Sequence, residues 1–292
     1  MTPAPHSDPL DAASLTASLE ARRRTLPDLP VLLGRRVEHH ARIDSTSDRA
    51  RAIAASGEPE GTVVIADEQT AGRGRSERHW HSPPGLGLYL SVILRPDASP
   101  ADAPIFGLMA AVAVCEALRD VVPVPVQIKW PNDLIVETSG VRRKLAGILA
   151  EARTTSDSIR DLVIGVGVNV NHEAADFPQE ITGRSTSLRI LAVRQFARVT
   201  LAAEILTRLD AWYTLWNRFG NTPLLEAYAA AAVDLVGHAV RVTGGARHDG
   251  AASDPTGTTA GLSPDGALRV IPDDGGEALI IRYGEVLRLE EP

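Results

Sequence analysis

The chain is predicted to be an α+β protein, a mixed β-sheet with helices packed on it, followed by a small carboxy-terminal β-barrel. Three observations predict this. Apolar runs of strand length are joined by short turns, as at 126–136 and 144–170. Two long segments with helical apolar spacing lie among them, at 101–122 and 199–219. After Gly237 the texture changes to short strands punctuated by glycine. Hairpin-joined strands beside long helices argue for a mixed sheet with helices on one face, not for a doubly wound repeat. The last strands suit a barrel of roughly SH3 size. The expected division is an extension at 1–34, a main domain at 35–235 and the barrel at 236–292.

Taken in order, residues 11–25 form a short helix that ends before Pro27, with Arg22, Arg23 and Arg24 on a solvated face. Ser45, Thr46 and Ser47 precede a helix at 48–56 that Gly57 stops, and a hydroxyl there caps free amides. The same hydroxyls could equally face a ligand. Strands at 63–66 and 88–94 flank a loop, with a turn at Ser82-Pro83-Pro84-Gly85. The helix at 101–122 ends before Pro123. Residues 126–130 form a strand broken at Pro131, 134–136 another, and Thr138-Ser139-Gly140 a turn into a strand at 144–152. A strand at 159–170 follows. In the helix at 199–219, Leu201, Ile205, Leu209, Trp212, Trp216 and Phe219 make one apolar stripe, read as core. Gly220 ends it, and a shorter helix covers 224–233. The barrel strands are expected at 238–242, 258–262, 267–271, 278–282 and 285–289.

Composition narrows the function. At 292 residues with 44% hydrophobic content, a sizeable core is expected. A net charge of -7 argues against general nucleic-acid affinity, so no DNA partner is expected. The single cysteine, Cys115, excludes an internal disulfide and a multi-cysteine metal site, and reads as a buried filler. No apolar run is read as long enough to span a membrane, and no signal pattern opens the chain, so the expected place is cytoplasmic. Oligomeric state stays open, a homodimer included, because an edge strand that pairs between subunits looks like one that does not.

The densest chemical signal is Glu68 to Trp80, EQTAGRGRSERHW. It places Gly72, Arg73, Gly74, Arg75 and Arg78 between two strands, with no apolar residue from Gly72 to His79. Glycine allows close backbone approach, and arginine offers fixed, planar donors to phosphate or carboxylate. On these residues alone, a loop that closes over an anion and a solvated basic hairpin stand level. Lys129-Trp130-Pro131-Asn132-Asp133 sets a cation, an amide and a carboxylate at a strand end, able to hold phosphate and Mg²⁺, or simply to turn the chain. Lys144 stands at the mouth of a buried strand, where an anion beside it would offset desolvation. Gly165 and Gly167 give two glycines of a dinucleotide fingerprint, but the third is missing and no capped helix follows. The loop is not a P-loop either, because no Gly-Lys-Ser/Thr triplet occurs in it.

Together the blocks IDSTS, EQTAGRGRSERHW, GLYLSVILRP, KWPNDLIV, RKLAGILAE and VIGVGVNVN closely resemble biotin protein ligase, in that family's order and spacing. The resemblance covers residues 43–170 by motif and the rest by pattern. It is of the monofunctional type, without a recognisable DNA-binding module. The chain departs from the family at Ser76 and Glu77, where a further glycine and arginine are usual, and at Ser47, where asparagine is usual.

The resemblance implies a catalytic sheet like that of class II aminoacyl-tRNA synthetases and an SH3-like carboxy-terminal domain. It implies a ligase that makes biotinyl-5′-AMP from biotin and ATP, with Mg²⁺, then passes biotin to a lysine of a biotin carboxyl carrier protein. By position, Ser45, Thr46, Ser47, Gln69, Arg73, Gly74, Arg75 and Lys144 would hold biotin. Arg75, Arg78, Trp80, Lys129, Asn132, Asp133 and Asn169 would hold ATP, with Asp133 on the metal. Lys144, Arg75 and Lys129 would be catalytic. The rivals are a lipoate ligase or octanoyltransferase on the same scaffold, a biotin-sensing repressor, and a plain ligand-binding protein.

Overall fold

Valine, isoleucine and leucine runs build the centre of the molecule, because β-branched and aliphatic side chains pack well on a pleated surface. A computed structural model describes residues 10–26, 31–243, 254–282 and 284–289. Helix α1 (Ala12–Thr25), strand β1 (Arg36–His40), helix α2 (Thr46–Ala55) and strands β2 (Thr62–Ala66) and β3 (Gly87–Leu94) come first. Helix α3 (Ala103–Arg119) leads into β4 (Val126–Lys129), β5 (Asp133–Thr138), β6 (Val141–Thr154) and β7 (Ile159–Asn169). Short helices α4 (Gln179–Thr182) and α5 (Leu188–Ala192) precede the long α6 (Arg198–Phe219) and α7 (Asn221–Ala231). Strand β8 (Ala232–Val233) and then β9 (Val236–Thr243), β10 (Thr256–Leu262), β11 (Leu268–Pro272), β12 (Leu279–Ile281) and β13 (Glu285–Arg288) complete the described chain.

The larger sheet has eight strands in the order β1-β2-β3-β7-β6-β5-β4-β8. Its two outer pairs are parallel and the rest antiparallel. The smaller sheet, β12-β11-β10-β9-β13, is antiparallel throughout, as expected of a small barrel-like module. The two sheets share one hydrophobic core. Trp130 also donates its indole N–H to the Gly266 carbonyl at 3.3 Å.

Four readings change. Helices were expected on one face, but strand alternation shows two: Val63, Ile65 and Val92 face the core that holds α3 and α6, whereas Val64, Ile93 and Val163 pack with Ala50, Ile53 and Ala54 of α2. Residues 100–119 are long and apolar enough to cross a membrane, with a mean hydropathy of 1.6, contrary to the expectation that no such run exists. Here that stretch is the buried central helix, and burial on nearly every side accounts for its composition. Arg22 and Arg23 are not simply solvated: Arg22 pairs with Glu204, and Arg23 donates to the Leu33 carbonyl at 2.7 Å. Phe219, assigned to the core stripe, is 63% exposed because it closes the helix beside Gly220.

Two strands and one segment escaped the sequence. β1, RVEHH, lacks apolar alternation, since it is an edge strand with one neighbour. β8 is two residues long. Residues 171–197 fold as short helical turns whose spacing is too brief for a periodic signal. Cys115 is buried as expected, and burial raises its thiol to about 11.

Candidate functional site

The cavity lies on the α2 face of the sheet, above strands β3, β7 and β6. Cross-strand partners point to the same side, so Ser91, Gly165 and Leu149 form one row and Tyr89, Gly167 and Gly147 the next. The glycines permit close approach. A Cβ on Gly165 would stand 2.5 Å from the Ser47 hydroxyl, and one on Gly167 would stand 2.5 Å from the Trp80 ring. Gly147 lies beneath the same ring. The glycine pair that imitated a nucleotide fingerprint is therefore a floor made flat for Ser47 and Trp80.

At the Gly165 end the wall is polar, made of hydroxyls and an amide beside an Arg73 guanidinium already paired with Asp48 and Glu151. Gln69 accepts from the Thr46 amide at 2.8 Å and hydroxyl at 3.1 Å, and donates to Ser82 at 3.0 Å. Ser91 donates to Thr46 at 2.9 Å, and Ser47 lies 3.1 Å from Ser91. Thr46 and Ser47 occupy the first turn of α2, whose Thr46 and Asp48 amides are already taken by Gln69 and Ser45. Ser45 is buried as the cap of that helix, accepting from the Asp48 amide at 3.3 Å, and does not line the cavity. Trp80, Leu149, Phe177 and Ile181 make the apolar middle.

At the other end the wall is charged. Lys144 pairs with Asp133 at 2.6 Å and lies 5.3 Å from the centre of the Trp80 ring. Asn132 donates to the Ile148 carbonyl at 2.7 Å and accepts from Arg75 at 3.2 Å. Asn169 donates to the Thr186 carbonyl at 3.0 Å, tying the end of β7 to the 185–187 segment. Thr46, Ser47, Gln69, Arg73, Gly74, Arg75, Arg78, Trp80, Asn132, Asp133, Lys144 and Asn169 all line the one cavity. Lys129, half-buried at the end of β4, stands outside it.

The arginines of the loop have different surroundings. Arg73 donates to Asp48 at 2.7 Å and to both oxygens of Glu151, at 2.7 and 3.1 Å. Burial opposes its charge, but these carboxylates hold its guanidinium above the ordinary value. Arg75 is more deeply covered, and burial lowers it despite Asp133 nearby. Arg78 reaches the smaller sheet, 3.2 Å from Glu285. Between Arg75 and Arg78, Ser76 takes a left-handed conformation, φ 54° and ψ 42°. Glycine adopts that region freely and serine at a cost, which gives physical content to the departure at Ser76.

Some residues of the site escaped the sequence reading. Ser91 carried a signal, a lone hydroxyl within the apolar run GLYLSVIL. Glu151, Asp48 and Ser82 carried none, because their partners are distant in sequence. Phe177, Ile181 and Ser185 come from the segment without periodicity. Behind them His172 is buried and stacks on Phe177 with ring centres 5.0 Å apart. Burial lowers it to about 4, so it is neutral at ordinary pH.

Residues 40–169 match the Biotin/lipoate A/B protein ligase family. The chain is 38% identical over 201 residues to the bifunctional ligase/repressor BirA of Bacillus subtilis, covering 68% of this chain and 61% of that protein. It thus spans about three-fifths of the length of that relative. It is 33% identical over 262 residues to the biotin–[acetyl-CoA-carboxylase] ligase of Mycobacterium tuberculosis, covering 87% of this chain and 90% of the other. Among solved structures, a biotin protein ligase from Aquifex aeolicus in complex with biotin and ATP superposes with a TM-score of 0.71 at 25% identity, covering 87% of this chain and 100% of that one. With fold and near-complete overlap in agreement, the chain belongs to the biotin/lipoate A/B protein ligase family.

Proposed function

We propose that the protein is a biotin–protein ligase that makes biotinyl-5′-AMP from biotin and ATP and transfers biotin to a lysine of a biotin carboxyl carrier domain. The observation that carries this reading is the polarity gradient along one cavity. A hydrogen-bonding end whose Arg73 is already paired with carboxylates, an apolar middle, and an end where Lys144 and Arg75 face the cavity match a ligand with a neutral polar head, a hydrocarbon chain and a carboxylate. The names of the relatives and the biotin–ATP complex of the structural neighbour support the same substrates.

In the first step a biotin carboxylate oxygen attacks the α-phosphorus of ATP, and the bond to pyrophosphate breaks. Negative charge builds on phosphoryl oxygens, so fixed cations lower the barrier most. Lys144 and Arg75, both in the cavity wall, would serve as these cations, whereas Lys129 lies outside the cavity and would act on phosphate only from beyond its wall. In the second step the acceptor amine attacks the acyl carbon, the bond to AMP breaks, and the proton leaves the new amide nitrogen. The enzyme's part in both is to hold reactants in line and exclude water. Thr46, Gln69 and the backbone around Gly74 would hold the head of biotin, and Asn132, Trp80, Arg78 and Asn169 would border the nucleotide.

Asp133 is the one carboxylate in the cavity wall among the described residues, and no cluster of three metal-ligating side chains occurs among them. That fits Mg²⁺, which takes one or two carboxylates plus substrate phosphates and waters. Asp133, one of whose oxygens pairs with Lys144, would hold the ion, which neutralises phosphate charge when bound.

The test is incubation with biotin, MgATP and a biotin-carrier domain, read by mass. One biotinyl group on the acceptor lysine is expected; no mass gain, or lipoyl labelling when lipoate is added in competition, would refute the reading. Lys144→Ala should slow biotin-dependent ATP–pyrophosphate exchange by at least roughly 10²-fold, the effect of removing one charge-stabilising donor. Unchanged exchange would remove Lys144 from the mechanism.

A further inference from the structure

We propose that Arg73 is a positioning residue whose guanidinium is clamped by Glu151 and Asp48, fixing the base of the 72–80 loop so that Arg75 faces the substrate. The proposal rests on the ligase reading and assigns opposed roles to two arginines that the sequence presents as equivalent.

Both outer nitrogens of Arg73 are engaged, one by Asp48 and Glu151 together and the other by Glu151. A substrate carboxylate would have to displace two protein carboxylates to reach this guanidinium. Arg75, by contrast, meets a neutral amide oxygen at 3.2 Å and makes no ion pair of its own among the described residues. A buried guanidinium without a paired carboxylate is the better receiver for an anion.

The clamp joins three walls. Asp48 lies in the first turn of α2, beside Thr46 and Ser47. Glu151 stands on β6, which also carries Lys144, Gly147 and Leu149. Arg73 forms a bridge with His79, and the Trp80 amide donates to the Gly72 carbonyl at 2.8 Å, so the base of the loop is a short hairpin. The Gly74 amide donates to the Arg78 carbonyl at 2.7 Å, which closes the tip. Moving Arg73 therefore moves Gly74 on one side and Trp80 on the other. Arg51 adds a second cation to the same carboxylates, pairing with Asp48 and lying 3.5 Å from Glu151.

Trypsin provides a ligand-free readout, because the loop offers cleavage after Arg73, Arg75 and Arg78. Glu151→Gln and the double variant Asp48→Asn/Glu151→Gln should be cut in this loop roughly tenfold faster than wild type. Their melting temperatures should change little, because all three side chains are partly solvated. With substrates, the KM for biotin should rise while Arg73→Ala in the Glu151→Ala background costs no more than Arg73→Ala alone. The exchanged pair Arg73→Glu/Glu151→Arg should regain part of the tryptic protection at Arg75 and Arg78, the loop sites that it keeps. Unchanged cleavage in both clamp variants would overturn the proposal, as would independent, multiplying losses of biotin affinity from Arg73→Ala and Glu151→Ala. The proteolysis arm uses no substrate, so it stands or falls separately from the ligase reading.

Discussion

Ser76 holds a left-handed backbone at the tip of the loop between two arginines. A non-glycine residue there costs about 1 kcal/mol, and a β-branched one more. If the protein makes the proposed adenylate, Ser76→Gly should keep or slightly improve its retention, whereas Ser76→Val should speed its release about tenfold, measured by gel-filtration release of labelled ligand. Asp210 offers a residue-scale test of pH dependence. Burial raises its carboxyl from 3.8 to about 7, although the Leu33 and Leu32 amides and Arg23 oppose that rise. The native state therefore keeps a proton that the unfolded chain loses. This contribution is full below about pH 4 and is lost as the pH rises through about 7. Asp210→Asn imitates the protonated form, so its melting temperature should gain on wild type between about pH 5 and about pH 8. A constant difference across that range would show that Asp210 stays ionised in the fold.

At the scale of elements, the site depends on how flat β6 and β7 are. Gly167→Ala would drive a methyl group into the Trp80 ring, where the closest atoms would be 2.5 and 2.6 Å away. The indole belongs to a loop and the strand to the sheet centre, so the indole must yield. The KM for biotin should rise at least about tenfold, with a shift in tryptophan fluorescence and little loss of fold. A wild-type KM would mean that Trp80 does not shape the cavity. The motif residues on strand ends and in the loop were legible because they pack poorly as core. Lys144 in an apolar strand and three arginines around glycines have no hydrophobic reason to be there. Asp48 and Glu151 were illegible, since a carboxylate on a helix or strand reads as solvated until its cation is located.

Over the whole molecule, the smaller sheet reaches the cavity wall through Glu285 on β13, which meets Arg78. Both side chains are largely exposed, at 40% and 60%, so the pair is worth little to stability. Glu285→Ala should leave the melting temperature near wild type and raise the KM for ATP several-fold, because the loop tip loses its outer tether. An unchanged KM would confine the smaller sheet to a packing role.

The sequence by itself determined six of the eight strands of the main sheet, the two long helices, the glycine-punctuated carboxy-terminal module and, through the resemblance of its motifs, half of the cavity residues. The elements follow from periodicity, turn chemistry and local spacing, all of which a single chain displays, whereas the cavity residues follow from the resemblance of the motifs that carry them. Only the tertiary structure decided that α2 covers the opposite face, that β1 adds a parallel edge, and that the 171–187 segment walls the site. It alone separated Arg73, occupied by carboxylates from two other elements, from Arg75, left facing a cavity. Such distinctions depend on which charges meet across a fold, and pairings between residues 25 and 78 positions apart leave no trace in local pattern.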